Sequence, residues 1–255
     1  MHLAVAGCYR PFPMGRAFAP RHPGRESWRH RVRRPEGAVA LISGGLDSCA
    51  LVAHLVARGR EVFPLYVRSG LVWERAELHW LRRFLKALPG TSGRVHPLKV
   101  ASLPMGDLYG NHWSTTGEGI PGWRASDSSV YLPGRNVLLM AKGAVHAAMI
   151  GAPRLAIGTL KGNPFPDASS GFFRALARAL AAGLDFPLRI EAPFLELRKE
   201  DLIRRFGDLP LELSFSCSSP RGLDACLRCA KCRERILAFS SRPPRRATAR
   251  RRGSR

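Results

Sequence analysis

Lysine and acidic residues are scarce in this chain. Only six of its 41 basic residues are lysine, and they stand against 19 acids, so the formal net charge is +22. No apolar run approaches the roughly 20 residues that a membrane span needs, and membrane integration is not expected. No secretory leader is expected either: Leu3-Ala4-Val5-Ala6 is too short for its apolar core, and Arg10 and Pro11 follow. The stretch 1–35 is Arg-rich and acid-poor, as a transit peptide would be, but it has little serine and no apolar face, so a cytoplasmic location is expected. No internal repeat is visible. The string G-x-x-x-x-G-K-[ST] does not occur, which excludes the common P-loop.

The positive charge is concentrated at the ends. Residues 1–36 hold eight arginines against two acids (net +6), residues 240–255 hold seven arginines and no acid (+7), and the middle keeps +9. A basic middle would suit a polyphosphate or RNA partner. The plainer reading is a coding bias towards arginine, alanine, glycine and proline. It is favoured because no basic stretch is interleaved with aromatics as on a single-strand binding surface. A nucleic-acid partner is therefore not expected.

A length of 255 residues allows one full domain with appendages. Residues 1–36 read as a disordered Arg/Pro-rich extension and 240–255 as a disordered basic tail. Between them, strand and helix alternate. The apolar run 38–42 has the length of a central parallel strand, and 47–58 carries Leu51 and Leu55 at helical spacing. A second strand is expected at 61–67, with Pro64 arguing for an edge position or an irregularity. A strongly amphipathic helix follows at 73–88, through Leu78, Leu81, Leu85 and Leu88. Further strands are expected at 94–100, 154–157 and 188–192. Further helices are expected at 136–150, at 172–182 with a stop at Gly183, and at 199–206. This alternation predicts an α/β fold, a doubly wound parallel sheet with helices on both faces, over residues 37–210. Residues 101–132 lack periodicity, and a loop of that size in a compact domain is usually functional.

Ser43-Gly44-Gly45-Leu46-Asp47-Ser48 lies where the first strand should pass into the first helix. The first N–H groups of a helix have no intrahelical partner, and the helix dipole adds positive potential there. Two glycines let the backbone curl around phosphate oxygens. Ser43 and Ser48 add hydroxyl donors, and Asp47 can cap the helix or help to hold magnesium. The alternative is a glycine-rich turn with a helix cap. The six residues resemble the pyrophosphatase loop of N-type ATP pyrophosphatases, a superfamily that includes GMP synthetase, NAD synthetase, asparagine synthetase and tRNA thiolases. The resemblance implies that ATP activates a substrate oxygen as an adenylate with release of pyrophosphate, after which a nitrogen or sulfur nucleophile displaces AMP.

Cys217, Cys226, Cys229 and Cys232 are spaced C-x8-C-x2-C-x2-C and lead into a short helix expected at 233–239. Four thiolates in 16 residues suit one closed tetrahedral zinc, which staples rather than catalyses. Disulfides do not suit a chain without a secretion signal, and an iron–sulfur or sulfur-carrier role is the other reading. Residues 211–239 are thus expected to form a small zinc-binding segment and helix. Of the other two cysteines, Cys8 lies in the extension and Cys49 is expected to be a small buried side chain.

The segment 214–239 resembles the zinc segment of the 7-cyano-7-deazaguanine synthase family. Pro133-Gly134-Arg135-Asn136 is similar to that family's P-x-R-N. Residues 158–173 are similar to its Gly-Asn-Asp…Pro-Asp…Phe segment, and Pro193 and Lys199 to its Pro…Lys before a helix. The resemblance covers about 37–240. The chain departs from the family at Tyr66-Val67-Arg68, where Tyr-Gly-Gln is usual, and at Ser218 and Leu227. The resemblance implies an ATP-dependent ligase with Mg2+ and Zn2+. It would adenylate 7-carboxy-7-deazaguanine, form the amide with ammonia, and activate the amide with a second ATP so that the nitrile forms. Lys161 is then the candidate for charge on the α-phosphate, and Arg135 for phosphate. Asp167 is the candidate for magnesium or the guanine-like edge, and Trp73 or Phe165 for stacking on the base. Against each stands a plain alternative: a solvated lysine, a helix-start ion pair, a helix cap, and core packing. A homodimer is compatible with this reading. Two competing readings are a tRNA thiolase or other amidating enzyme of the superfamily, and a non-catalytic zinc-stapled nucleotide- or RNA-binding protein.

Overall fold

The computed structural model describes residues 34–89 and 93–240. Apart from 34–36 and 240, the two extensions expected to be disordered lie outside the described residues, as does Cys8. Strand β1 (Gly37–Leu41) is buried at all five positions, as its unbroken apolar run requires. It is followed by α1 (Leu46–Ala57), β2 (Glu61–Arg68), α2 (Glu74–Ala87) and β3 (Lys99–Ser102). Two single-turn helices, α3 (Gly106–Tyr109) and α4 (Trp113–Thr116), then precede a 3-10 turn at Asp127–Val130. The remaining elements are α5 (Arg135–Ile150), β4 (Arg154–Ile157), a 3-10 turn at Pro166–Ala168, α6 (Ser170–Leu184), β5 (Arg189–Glu191), α7 (Lys199–Arg205), a 3-10 turn at Leu211–Leu213 and α8 (Ala230–Ser240).

The five strands are all parallel, in the order β3-β2-β1-β4-β5. Alternate residues of β1 feed two apolar layers. Ala38, Ala40 and Ile42 meet α1, α2 and α7 on one face. Val39 and Leu41 meet α5 and α6 on the other. This is the doubly wound sheet that the alternation predicts.

Four local expectations are refined. At Pro64 the structure shows the irregularity rather than the edge: strand β2 is internal, and Pro64 pairs with Ala40 of β1. The N–H of Val62 donates to Arg94 and that of His96 to Val62, so the even positions of β2 face β3. Pro64 therefore faces the gap between the Val62–Val95 bridge and the ladder that starts at Leu65–Lys99, where no donor is needed. For the same reason β3 is shorter and begins later than expected. Helix α6 does not stop at Gly183: it runs to Leu184 and ends on Asp185, whose φ is +46°. Helix α8 begins at Ala230, three residues before the expected start, and so includes Cys232.

Candidate adenylation site

A cleft of about 420 Å³ opens at the carboxyl ends of β1, β2 and β4. This is the switch point of the sheet, where the chain leaves β1 for β2 on one side and β4 lies on the other. Ser43, Gly45, Leu46, Asp47 and Ser48 form its floor. Gly44 sits behind them with φ +84°, and a Cβ there would lie 3.2 Å from both the Glu77 carbonyl oxygen and Leu81 Cβ of α2. Only glycine combines that backbone with that closeness.

The loop is shaped by Ser48. Its hydroxyl accepts from the N–H groups of Ser43 (3.2 Å) and Gly44 (3.1 Å) and donates to the Gly45 carbonyl at 3.0 Å. The expected cap by Asp47 is not made. Gly45 is the N-cap residue of α1, without a side-chain bond, because Asp47 already lies inside the helix and faces the cleft. Its Oδ1 is buried and has no hydrogen-bond partner among the described residues. Burial raises the Asp47 pKa, opposed by the charge of Lys199. An orphaned carboxylate oxygen in a phosphate cradle has the donor chemistry that magnesium takes.

From β4, Gly158 packs against this turn so closely that a Cβ would lie 2.9 Å from the Asp47 carbonyl carbon and oxygen. Lys199, the first residue of α7, lies in the same cleft. Burial works against its charge, but Asp47 and Glu234 outweigh that and hold the ammonium above the ordinary lysine value. Lys199 Nζ bonds Glu234 Oε1, and Lys231 Nζ bonds Glu234 Oε2 at 2.9 Å.

Arg135, the first residue of α5, lines the cleft with its Nε buried and without a hydrogen-bond partner among the described residues. Lys161 stands exposed at the rim. Asp167 is buried and tied to the start of α5: Oδ2 accepts from the Asn136 N–H at 3.0 Å, and Oδ1 from Asn136 Nδ2 at 3.3 Å. The cap of the following helix, α6, is Ser169. Trp73 and Trp113 stack with centroids 5.6 Å apart, Tyr131 and Phe165 lie 4.8 Å apart, and all four border the cleft. The aperiodic stretch 101–132 thus supplies one wall.

Glu77 was not legible as a site residue, because helical spacing places it among leucines. It lines the cleft, and the Tyr66 hydroxyl donates to its Oε2 at 2.8 Å. Burial pushes Glu77 up to about 7, against the pull of Arg135 and the Tyr66 bond. Lys199, Lys231, Glu234 and Gly158 were also not picked out as site residues. One signal was available: Lys161, Lys199 and Lys231 are three of only six lysines in an arginine-rich chain, and all three line the cleft.

The four cysteines are buried, with ligand atoms within 4.8 Å of one another and Cys226 Sγ 3.9 Å from Cys232 Sγ. Tetrahedral zinc with Zn–S near 2.3 Å needs sulfurs about 3.8 Å apart, so the set fits it. Backbone N–H groups of Cys226 (3.3 Å) and Ser219 (3.4 Å) point at Cys217 Sγ, and that of Cys232 at Cys229 Sγ (3.4 Å), as thiolates favour. The segment is bonded into the site: the Phe215 N–H donates to the Gly44 carbonyl at 2.7 Å, and Ser216 and Ser218 line the cleft. Cys49 is buried behind the loop, and burial pushes its thiol far above the ordinary range. It is the small buried side chain that was expected, and among the described residues it is the one cysteine outside the cluster.

The profile of queuosine biosynthesis protein QueC matches residues 37–242. The chain belongs to that family. Curated relatives carry the name 7-cyano-7-deazaguanine synthase. The one from Caldicellulosiruptor bescii is 30% identical over 79% of this chain and 91% of its own length. That from Anaeromyxobacter dehalogenans is 33% identical over 80% and 91%. That from Archaeoglobus fulgidus is 32% identical over 79% and 85%. The family match ends close to the last described residue of α8, so it takes in both the loop and the cysteine cluster. Among the described residues no helix is long and apolar enough to cross a membrane.

Proposed function

We propose that this chain is an ATP-dependent ligase that converts 7-carboxy-7-deazaguanine and ammonia to 7-cyano-7-deazaguanine. The observation that carries the reading is the convergence of the Ser43–Ser48 loop, the orphaned Asp47 Oδ1 and the aromatic-bordered wall on one cleft of small-molecule size. The loop's N–H groups at the start of α1 hold the polyphosphate. Asp47 takes magnesium. Arg135 and Lys161 stabilise charge as the substrate oxygen attacks the α-phosphate. Asp167 positions Arg135 through Asn136 at the head of α5. The Tyr131–Phe165 or Trp73–Trp113 pair offers a flat face to the deazaguanine. The four cysteines hold zinc as a staple. In the first half-reaction the carboxylate oxygen attacks the α-phosphorus of ATP and pyrophosphate leaves; ammonia then adds at the carbonyl carbon, loses a proton, and AMP leaves to give the amide. In the second, the amide oxygen attacks a second ATP with release of pyrophosphate, the amide nitrogen loses its two protons, and AMP leaves as the C–O bond breaks and the nitrile forms. A thiolase reading is disfavoured by the inert, buried Cys49.

The test is turnover of the full chain with ATP, magnesium, ammonium and 7-carboxy-7-deazaguanine, read by mass spectrometry. Nitrile and AMP from the wild type, both lost in Asp47→Ala, are expected. Consumption of neither substrate by the wild type would overturn the reading.

A further inference from the structure

Lys231 sits between two of the four cysteines, in the first turn of α8, and Glu234 follows one turn later on the same face. Both line the cleft, together with Lys199 and Asp47. Lys231, Glu234 and Lys199 form a bonded row, and Lys199 feels the charge of Asp47 beside it. Lys231 bonds one oxygen of Glu234, the other oxygen bonds Lys199, and Lys199 balances the buried Asp47 under the phosphate loop. This row is more than a staple between α7 and α8. Such a staple needs only one lysine. Here a single carboxylate holds two lysines, and both ammonium groups border a cavity whose floor is a phosphate cradle. Lysine is a flexible point charge, and holding it in place beforehand removes the cost of ordering it when an anion arrives.

We propose that Lys231 is a ligand of the ATP polyphosphate and that Glu234 is a positioning residue, which holds Lys199 and Lys231 together at the edge of the loop. This rests on the ATP-dependent reading above. The helix that carries both residues is fixed at its start by Cys229 and Cys232, so the cysteine segment contributes charge to the site as well as support. Neither residue was expected to act there, and both are specific features of this cleft wall.

The experiment is calorimetric titration of metal-loaded full-length chain with Mg-ATP and, separately, with inorganic pyrophosphate, for the wild type, Lys231→Met, Glu234→Gln and Glu234→Asp. Bound metal per chain, melting temperature and the KM and kcat for ATP are measured on the same samples. Pyrophosphate affinity is expected to fall about tenfold or more in K231M and E234Q, the size of losing one or two charge-assisted bonds. KM for ATP should rise in parallel, with kcat nearly constant, metal content unchanged, and partial recovery in E234D. Unchanged pyrophosphate affinity with a lowered melting temperature would make the row a staple and overturn the proposal. Tighter pyrophosphate binding in E234Q would make Glu234 a competitor of phosphate, and would also overturn it. A wild type that binds neither ligand would overturn the ATP reading and this proposal together. Wild-type binding left unchanged in the variants would overturn this proposal alone.

Discussion

The loop wall of the cleft stands on β1, whose five residues are buried between two helical layers and paired with strands on both sides. The facing wall, residues 214–234, rests on a smaller apolar cluster: Ala76, Phe215 and the four cysteines are buried in it, with Trp80, Ile120, Leu223 and Ala225 packed against them. Polar links add to it. The Phe215 N–H reaches Gly44, Trp80 Nε1 donates to the Leu223 carbonyl at 2.8 Å, and Arg233 reaches the Trp123 and Ala125 carbonyls at 2.6 and 3.0 Å. One wall is therefore fixed by the folding of the sheet, and the other by these links and by a cysteine cluster whose geometry could hold a metal. If the cluster holds zinc, the phosphate-loop wall should form without the metal, whereas the wall that completes the cleft should not.

The largest test of this contrast is metal removal. Structural zinc contributes on the order of 10 kcal/mol in isolated zinc-binding peptides. Stripping the metal, or Cys229→Ser, is expected to open residues 214–230 to limited proteolysis and to abolish ATP binding, while far-UV circular dichroism keeps most of its α/β signal. Equal loss of all secondary structure would remove the distinction between the walls.

Next is Glu77, behind the loop wall. Its carboxyl is raised from 4.5 to about 7 by burial. A raised folded-state pKa means that its contribution is fully present below about pH 4.5 and is lost as pH rises through 7. That shift is worth roughly 3 kcal/mol by pH 8. Glu77→Gln should therefore melt higher than the wild type at pH 8.5 and about equally at pH 5. A melting-temperature difference independent of pH would contradict this.

A smaller effect is expected at the seam between β4 and the loop. In Gly158→Ala the added Cβ meets the Asp47 backbone, which cannot rotate away, so a loss of about 1–3 kcal/mol in denaturant unfolding and a raised KM for ATP are expected. The smallest is Ser48→Ala. It leaves two loop N–H groups without their acceptor and should cost about 1 kcal/mol, with KM affected more than kcat.

The same contrast explains what could be read from the sequence. The loop and the four cysteines are dense local strings, and the structure brings the loop to the cleft and the cysteines to one cluster beside it. The parallel sheet followed from the unbroken apolar run of β1 and from alternation. What could not be read depends on contacts between distant segments. Asp47 was read as a cap or a magnesium holder; the cap is not made, because the Ser48 hydroxyl holds the loop and frees the carboxylate. Pro64 suggested an edge or an irregularity, and the choice between them depends on a gap in β3, which a neighbouring strand sets. Glu77 and Glu234 carry no local mark: each matters because of Tyr66 and Arg135, or Lys199, brought from far along the chain.

The most direct test of the central claim is exchange of labelled pyrophosphate into ATP, measured with and without 7-carboxy-7-deazaguanine and without ammonium. A cleft that adenylates this carboxylate should show exchange only when the acid is present, and Asp47→Ala should abolish it. No exchange with the acid present, or the same exchange without it, would contradict adenylation of this substrate in the cleft.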